Sequence, residues 1–431
     1  MKRFLLILMV CVATLELVSC VGVKKMSERR LLEMPDEEFV VWSNGENVGF
    51  KLKSTGKVVI PQIYSYAENF KEGLALVTLE GKSGFIDKTG EVVIPFRKER
   101  FWSFCDGMAL MGNRGAKGYI DRQGNVIVPK KYDDAFDFRE GLGQVRSREG
   151  VGFIDKSGNE VIPLKFTVSA GFRDGVAAVA VTRKDDTSKI VCEWGCIDKT
   201  GEYVIDPGKY DMVGFCSEGL IEVYKSAKDG SRKCGFVDKS GKEVIPLIYD
   251  NTMGFSDGLA AVAINGKCGY IDKTGELVIH PKYDTRLMSG FRDGLARVEL
   301  NGKIGYIDKS GNEVIPIKYD WIEYYSYEGI VAVTLDGKQG FVDRRGVEVI
   351  PLKYDAVRFF SDGLACVKKD GKRGYINPRG RLVIPMIYDE AGDFFMGVAT
   401  VKKDGDSFYI NTKGKKVKDI EDDNIEVDFE F

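Results

Sequence analysis

Residues 305–316 read GYIDKSGNEVIP, and the pair Tyr319-Asp320 follows shortly afterwards. Asp308 stands first and Gly311 fourth in a four-residue segment, which is typical of a type I turn that ends in a left-handed glycine. Aromatic and β-branched residues flank this turn, so the stretch is predicted to be a short antiparallel hairpin. Because proline cannot donate to a β-ladder, the strand that ends at Pro316 is predicted to lie at a sheet edge.

This unit recurs along nearly the whole chain. Its first glycine returns after gaps of 35, 34, 34, 43, 40, 34, 36, 35 and 34 residues, and a weaker copy near residues 408–411 closes the series. A regular period of about 20–50 residues is typical of repeat proteins. The aligned glycines are Gly49, Gly84, Gly118, Gly152, Gly195, Gly235, Gly269, Gly305, Gly340 and Gly374.

Each copy also contains further predicted strands. A Gly-Leu-Ala-x-Val segment, such as residues 73–77, precedes a Glu-Gly-Lys turn, and a short strand follows the Tyr-Asp pair or its equivalent, as in residues 132–136. The unit is therefore predicted to be a meander of three or four short antiparallel strands.

Both faces of this predicted sheet are apolar. Ala75 and Val77 share one face, whereas Leu74 and Leu76 share the other. Neither face is stable in water, so neighbouring units must cover both. The sequence predicts an all-β tandem array of meanders. An open curved β-solenoid is favoured, because the copies outnumber the roughly 4–8 blades of a typical propeller and because Phe39–Trp42 suggests that the chain enters partway through a unit. A propeller-like ring is the alternative.

The N-terminus has the features of an export signal. A basic start, Met1-Lys2-Arg3, precedes an apolar stretch too short to span a membrane. Leu17-Val18-Ser19-Cys20 resembles the lipobox of bacterial lipoproteins, which implies lipidation of Cys20; plain secretion with an incidental Cys20 is the alternative. The expected location is the bacterial cell envelope, with a lipid anchor at the outer membrane.

Four segments follow from these features. Residues 1–19 are expected to be a lipoprotein signal peptide, residues 20–37 a tether, and residues 38–418 the repeat domain. Residues 419–431 contain seven acidic side chains and no basic one, and are expected to be a frayed end or a polar cap on the last repeat.

The repeated unit resembles a known family. The pattern Gly-[Phe/Tyr]-Ile-Asp-Lys-x-Gly-x-x-Val-Ile-Pro-x-x-Tyr-Asp, followed by Phe-x-x-Gly-Leu-Ala-x-Val, is similar to the WG-repeat (KWG) family of bacterial proteins over about residues 39–418. The family is named for a Trp before the first Gly, and here Trp194-Gly195 alone retains it. Members mostly have no assigned function, so the resemblance implies a repeat scaffold and little chemistry.

The composition argues against several classes of function. The chain has 63 basic and 65 acidic residues, so it has no net positive charge to attract nucleic acid. His280 is the single histidine, and no orienting partner or nucleophile is recognisable near it in sequence. The Asp that opens each Asp-x-x-Gly turn is interpreted as a turn former rather than a metal ligand. No catalytic, cofactor or metal site is predicted.

The cysteines leave two interpretations open. Besides Cys11 in the leader and Cys20, the chain has seven, an odd number that a complete intrachain disulfide framework cannot use. Cys234 and Cys268 occupy equivalent places in adjacent units, and they are interpreted as small apolar filler, with a bridge between them as the alternative.

The irregular units supply the candidate binding residues. The two long gaps insert residues 183–189 and 225–233 at the same place in consecutive units, so both insertions must project from the same side of the array. A second candidate is the aromatic connector of residues 321–327, and solvated loops or local packing are the alternatives. The candidates are Lys184, Asp185, Trp194, Tyr224, Lys228, Arg232, Trp321, Tyr324 and Tyr325.

These observations favour a non-enzymatic, envelope-anchored scaffold that binds a protein or a polysaccharide. The alternatives are an envelope hydrolase or other enzyme with its site in a groove of the array, and a purely structural spacer. No nucleic-acid partner is expected, and contact with the membrane is expected through the lipid anchor alone.

Overall fold

The computed structural model describes residues 28–43, 47–184, 188, 190–227, 230–323, 329–395 and 397–417. Within this part of the chain there are forty β-strands in eleven antiparallel sheets, with very little helix. The helical segments are α1 (Glu28–Glu33) and two 3-10 turns, Asp36–Glu38 and Thr285–Leu287. No described helix is long and apolar enough to cross a membrane.

The sheets are formed by consecutive strands. Sheet 1 contains β1 (Phe39–Ser43), β2 (Val48–Leu52) and β3 (Val58–Tyr64). Sheet 2 contains β4 (Tyr66–Ala67), β5 (Leu74–Leu79), β6 (Lys82–Asp87) and β7 (Val92–Arg97). Sheet 3 contains β8 (Met108–Asn113), β9 (Ala116–Asp121) and β10 (Val126–Tyr132). Sheet 4 contains β11 (Asp134–Arg139), β12 (Leu142–Ser147), β13 (Gly150–Ile154) and β14 (Glu160–Phe166).

The middle sheets include the two irregular units. Sheet 5 contains β15 (Val168–Ser169), β16 (Val176–Lys184), β17 (Ile190–Asp198) and β18 (Tyr203–Tyr210). Sheet 6 contains β19 (Met212–Ser217), β20 (Leu220–Ser226), β21 (Arg232–Asp238) and β22 (Glu243–Tyr249). Sheet 7 contains β23 (Asn251–Thr252), β24 (Ala260–Ile264), β25 (Lys267–Ile271) and β26 (Leu277–Asp284).

The last four sheets complete the array. Sheet 8 contains β27 (Leu295–Leu300), β28 (Lys303–Asp308) and β29 (Glu313–Tyr319). Sheet 9 contains β30 (Trp321–Ile322), β31 (Ile330–Leu335), β32 (Lys338–Asp343) and β33 (Glu348–Tyr354). Sheet 10 contains β34 (Ala356–Ser361), β35 (Leu364–Lys369), β36 (Lys372–Ile376) and β37 (Leu382–Tyr388). Sheet 11 contains β38 (Glu390–Ala391), β39 (Val398–Lys403) and β40 (Asp406–Asn411).

The local predictions are confirmed. The proline-containing strand lies at the edge of its sheet, as β29 does in sheet 8. In the turn that follows β28, Asp308 Oδ1 accepts hydrogen bonds of 2.9 Å from the backbone N–H groups of Ser310 and Asn312. Gly311 has a φ of 83°, in the left-handed region that glycine adopts without strain. The Asp of the unit is thus a turn former.

Adjacent side chains of one strand enter different cores. Phe85 and Ile86 follow one another in β6, and both are 0% exposed. Ile86 packs in a cluster with Phe39 and Phe50 of sheet 1, whereas Phe85 packs with Phe104, which precedes the first strand of sheet 3. Each sheet therefore contributes apolar surface in both directions along the array, as predicted.

A pair of aromatic rings joins most neighbouring units. Phe85 and Phe104 have ring centroids 4.8 Å apart, and Tyr119 and Phe138 repeat this contact at 4.9 Å. Tilted and edge-on pairs at such distances add about 0.5–1.5 kcal/mol beyond the burial of their area. Between sheets 5 and 6 the corresponding places hold Cys196 and Cys216. The remaining pairs are Phe50–Phe70, Phe153–Phe172, Phe236–Phe255, Tyr270–Phe291, Phe341–Phe360 and Tyr375–Phe394.

The array has two rims. We call the side that carries the Asp-x-x-Gly turns, such as residues 308–311, the turn rim. The opposite side carries the hairpins between the second and third strands of each four-stranded unit, such as residues 335–338, and we call it the hairpin rim. Strand direction alternates, so the acidic residue and glycine that precede each Leu-Ala-x-Val strand also lie on the turn rim.

A ladder of carboxylates links successive units along the turn rim. Asp106 Oδ2 accepts a 2.5 Å hydrogen bond from the N–H of Gly141 in the next unit, and Oδ1 lies 2.6 Å from Lys156 Nζ. Partial burial acts to raise the pKa of Asp106, but the hydrogen bonds from Lys156 and Gly141 outweigh it and hold the pKa below its usual range. The equivalent glycine contacts are made by Asp36, Glu72, Glu140, Asp174, Glu218, Asp257 and Asp362.

A second ladder follows the hairpin rim. Lys338 Nζ lies 2.7 Å from Asp355 Oδ1, and the other carboxylate oxygen of Asp355 accepts a 2.9 Å bond from the N–H of Asp370. The Gly-Lys and Tyr-Asp pairs of the repeat are thereby connected. Exposed ion pairs of this kind contribute about 0–1 kcal/mol each, so they fix geometry more than they stabilise.

The two ends of the array meet with an offset. A Cβ built on Gly397, on the turn rim of sheet 11, would lie 3.2 Å from the carbonyl oxygen of Ser43 and 3.9 Å from the Trp42 side chain. Ser43 and Trp42 lie at the hairpin end of sheet 1. In a flat closed ring the same rims of neighbouring sheets would meet, whereas here opposite rims meet. The first and last sheets of the array therefore lie next to each other with opposite rims in contact.

The segment before the first strand is packed rather than extended. Leu31 of α1 is 8% exposed and joins the core of sheets 1 and 2, together with partly buried Met34. Asp36 accepts a 2.9 Å bond from the N–H of Gly73 and pairs with Lys88 at 2.7 Å. Residues 28–37, placed in the tether by the sequence, thus supply the first rung of the turn-rim ladder. The first twenty residues and the acidic tail of residues 419–431 lie outside the described residues.

Candidate functional site

The two insertions form extended hairpins on the hairpin rim. In sheet 9 the regular hairpin ends at the pair Leu335↔Lys338, and its equivalents are Val181↔Glu193 in sheet 5 and Lys225↔Lys233 in sheet 6. Beyond these positions sheet 5 continues to the pair Lys184↔Ile190, and sheet 6 continues to Ser226↔Arg232. Both hairpins project from adjacent sheets on one rim, so that prediction is confirmed. We call the surface formed by residues 182–184, 188, 190–192, 226–227 and 230–232 the extended hairpin surface.

The extended hairpin surface is basic. The residues beyond the regular hairpin ends, 182–192 and 226–232, contain five basic and three acidic residues, whereas the whole chain carries a net charge of −2. Lys184 and Arg232 are exposed, and so is Ile190, at 67%. A projecting basic surface with an apolar side chain beside it favours contact with an anionic partner.

Several side chains hold this surface in place. Arg183 forms an ion pair with Glu193 across the first hairpin. The Arg232 guanidinium lies 5.1 Å from the centroid of the Tyr224 ring. Lys225 Nζ donates a 3.0 Å hydrogen bond to the Lys209 carbonyl. The base of the first hairpin is therefore ordered by a contact within its own sheet, and that of the second by contacts to its own sheet and to sheet 5.

The sequence-predicted rim residues do not all reach this surface. Lys184 and Arg232 lie on it. Trp194 packs, partly buried, against the core between sheets 5 and 6, and Tyr224 is 5% exposed, with its hydroxyl donating to the Thr252 carbonyl at 3.4 Å. The structure therefore covers Tyr224 with the next unit and leaves Trp194 partly buried between sheets 5 and 6. Asp185 and Lys228 lie outside the described residues.

The aromatic connector is a separate location. Trp321 is 47% exposed in β30 of sheet 9, three sheets beyond the second extended hairpin. The Arg297 guanidinium lies 5.1 Å from the centroid of its ring. Tyr324 and Tyr325 lie outside the described residues. The two groups of candidates are therefore not parts of one site.

One cavity was not predicted from the sequence. It has a volume of about 250 Å³ between sheets 8 and 9 on the turn rim. We call it the arginine pocket. The signal available in the sequence was Arg297, which stands in the Leu-Ala-x-Val strand where two other units have Leu76 and Leu110. Its lining residues are Ser289, Gly290, Arg292, Asp293, Leu295, Arg297, Tyr306, Ile315, Val331 and Arg344.

Most of the described cysteines are buried packing residues. The seven described cysteines are all free, and Cys234 and Cys268 are buried, as the apolar-filler interpretation requires. Burial raises the pKa of the Cys234 thiol to about 12, which keeps it protonated and unreactive at neutral pH. His280 is exposed on edge strand β26. Among the described residues no group of three His, Cys, Asp or Glu side chains is placed to hold a metal ion.

Comparison with solved structures gives only distant likenesses. A crystal structure described as that of the eukaryotic initiation factor is 9% identical, with 86% of this chain and 97% of that chain covered and a TM-score of 0.41. Kluyvelomyces marxianus Hsv2 is 10% identical, with coverages of 62% and 94% and a TM-score of 0.28. Citrobacter koseri AztD is 12% identical, with coverages of 88% and 92% and a TM-score of 0.20. These likenesses are too distant to support a functional argument.

Comparison at the level of sequence is more informative. No curated protein matches the chain. The family model described as "WG containing repeat" matches ten times, in residues 53–82, 84–113, 118–149, 152–184, 194–228, 235–268, 269–303, 304–338, 340–372 and 374–405. These matches span most of the chain and follow the repeat unit read from its glycines. The chain therefore belongs to the WG-repeat family.

Proposed function

We propose that the protein is a non-enzymatic scaffold of the bacterial cell envelope that binds a protein or polysaccharide partner bearing anionic groups. The observation that carries this proposal is the pair of adjacent extended hairpins on the hairpin rim. They break an otherwise regular rim, and their inserted residues are basic on a chain whose net charge is negative. Electrostatic attraction from such a surface raises association rates and selects partners of opposite charge.

The separation between the apolar core and the projecting hairpins supports a binding role. The array interior consists of apolar clusters between consecutive sheets, which hold the hairpins at a fixed spacing. Repeat proteins commonly place their variable, partner-contacting residues on rims outside such a core. The extended hairpins contribute little to this core, so their length is better explained by contact with a partner than by folding.

Trimming both hairpins is expected to abolish most partner capture. The variant joins Val181 to Glu193, and Lys225 to Lys233, by the Asp-Gly turn that closes the regular hairpin of sheet 9. Because that turn closes a ladder of the same register, the array is expected to keep its unfolding midpoint. Partner enrichment after cross-linking in intact envelopes is expected to fall roughly tenfold, since about 1.4 kcal/mol of lost binding free energy gives that factor.

A charge-reversal variant separates the contribution of electrostatic attraction from that of hairpin length and shape. Lys184→Glu combined with Arg232→Glu keeps the hairpin length and reverses two exposed charges, so it is expected to reduce capture as well. The matched control is Lys413→Glu with Lys415→Glu in the last described turn, far along the array. Undiminished capture by the trimmed protein would rule out the extended hairpin surface as the binding surface.

The proposed anchoring in the cell envelope is tested by a separate prediction. We propose that Cys20 is lipidated after removal of residues 1–19, since residues 17–20 resemble a lipobox and stable anchoring requires more than one acyl chain. Cys20→Ala is expected to move the protein from the membrane fraction to the soluble fraction, measured by fractionation and by incorporation of a labelled fatty acid. Cys105→Ala is the control and is expected to remain membrane-bound. Equal membrane association of both variants would show that Cys20 is not the anchor.

A further inference from the structure

The arginine pocket lies beside a variable position of the repeat. Position x of the Leu-Ala-x-Val strand holds leucine in sheets 2 and 3, alanine in sheets 5, 7 and 9, Gln144 in sheet 4, Glu222 in sheet 6 and Arg297 in sheet 8. Arg297 is only 7% exposed, yet it contributes to the wall of the cavity. A buried guanidinium is costly to desolvate, so its charge must be compensated by hydrogen-bonding or ionic partners.

The Arg297 side chain is held in one orientation. Its Nη1 donates a 2.7 Å hydrogen bond to the Ile322 carbonyl of the next sheet, and the guanidinium lies 5.1 Å from the centroid of the Trp321 ring. Cation–π contact and a charge-assisted hydrogen bond both restrict rotation of the side chain. The group is thus preorganised at the boundary of sheets 8 and 9.

The turn rim beside the pocket keeps the ion pair of the regular units. Asp106 pairs with Lys156 of the next turn at 2.6 Å, and Asp293 pairs in the same way with Arg344 at 3.1 Å. The Asp293 side chain is 62% exposed, against 32% for Asp106. The Asp293 carboxylate is therefore more accessible to solvent than that of Asp106, and both Asp293 and Arg344 line the cavity.

The lining combines positive charge with apolar walls. Three arginines, Arg292, Arg297 and Arg344, face one acidic residue, Asp293, so the lining carries a net positive charge. Leu295, Ile315 and Val331 supply the apolar part. Guanidinium groups pair with carboxylates through two parallel hydrogen bonds, and apolar walls accept the carbon skeleton that carries the carboxylate.

We propose that the arginine pocket binds a small organic carboxylate, with Arg297 and Arg292 receiving the carboxylate group. The volume of about 250 Å³ lies just below the roughly 300–1,000 Å³ of common ligand pockets, so the occupant is a single small molecule or one terminal residue of a larger one. This site lies on the turn rim, opposite the extended hairpin surface. It therefore stands or fails independently of the proposed scaffold function.

The test is calorimetric titration of the full chain with sodium glucuronate, glucose and inorganic phosphate. Glucuronate and glucose share a sugar ring and differ in the carboxylate, so the pair isolates the contribution of the charge. Glucuronate is expected to bind, glucose to give no heat of binding, and phosphate to bind more weakly than glucuronate. Tighter binding of phosphate than of glucuronate would overturn the assignment to a carboxylate, and absence of glucuronate binding would overturn the site.

Substitutions of the pocket arginines test whether glucuronate binds in the arginine pocket. Arg297→Leu restores the leucine found at Leu76 and Leu110, so it is expected to fold and to weaken glucuronate binding by roughly tenfold or more. Arg292→Ala, which leaves the core untouched, gives a second measurement and is expected to act in the same direction. Arg139→Ala changes the exposed arginine at the equivalent turn-rim position of sheet 4 and is expected to have no effect. A glucuronate affinity unchanged from that of the parent protein in both Arg297→Leu and Arg292→Ala would overturn the proposal.

Discussion

A Gly235→Ala substitution is expected to lower the free energy of unfolding by about 3 kcal/mol or more. Losses of this size are typical of severe backbone or packing conflicts. A Cβ at this position would lie 2.4 Å from the Ile245 carbonyl oxygen and 2.6 Å from that of Pro246. Both atoms belong to the backbone of the neighbouring edge strand, which cannot move aside as a flexible side chain would. The reason for the conflict is a bulge in that strand.

The bulge connects the first glycine of the unit with its proline. Cys234 pairs with Tyr249 and Phe236 pairs with Ile245, so the edge strand has more residues than its partner across from Gly235. The extra residues, which include Pro246, fold over the glycine. The same shift occurs opposite Gly340, where a Cβ would lie 2.5 Å from the Ile350 carbonyl oxygen. The glycine recurs because the bulge needs its space.

The measurement is thermal and denaturant unfolding followed by circular dichroism. Gly392→Ala is the matched control, because Gly392 also has no positive φ and its Cβ would lie 3.6 Å from the nearest atom, the Thr400 carbonyl oxygen. This control is expected to change stability by less than about 1 kcal/mol. A Gly235→Ala protein with the unfolding midpoint of the parent would show that the bulge relaxes and that the glycine is not required for it.

The local structure of the unit was readable from sequence because its determinants lie within a few residues. Asp308 and Gly311 define their turn through contacts at most four residues apart. The alternation of Leu74, Ala75, Leu76 and Val77 defines two buried faces through strand geometry alone. The edge position of the proline strand follows from the missing N–H. These features are confirmed for the same physical reasons that predicted them.

Features that join neighbouring units were not readable in this way. The acidic residue of the turn rim binds a glycine one full period away, and within its own unit it resembles an ordinary solvated loop residue. Tyr224 was expected on an accessible rim because it neighbours an insertion, but burial at its position is determined by the next sheet. The arginine pocket requires the relative placement of β27, β28 and the turn that holds Arg344, which one unit does not specify.

A single excised unit is expected to be unfolded, the largest effect of any change considered. Residues 251–284 contain the whole of sheet 7, in which Val262, Tyr270 and Ile271 are each 0% exposed. Val262 and Ile271 pack in the cluster with Phe236 of sheet 6, whereas Tyr270 packs with Phe291 before sheet 8. Removing both neighbours exposes all of these side chains, and each large one loses about 1.5–3 kcal/mol of burial free energy.

Hydrogen bonding cannot compensate for this loss. The strands of sheet 7 retain their own ladders in the excised peptide, but a small sheet without a covered apolar face is at best marginally stable in water. The peptide of residues 251–284 is expected to show a random-coil circular dichroism spectrum and poorly dispersed amide proton signals, whereas the full chain in the same buffer gives a β spectrum with a cooperative transition. Dispersed amide signals and cooperative unfolding of the isolated peptide would contradict the requirement that every sheet be covered on both faces by its neighbours.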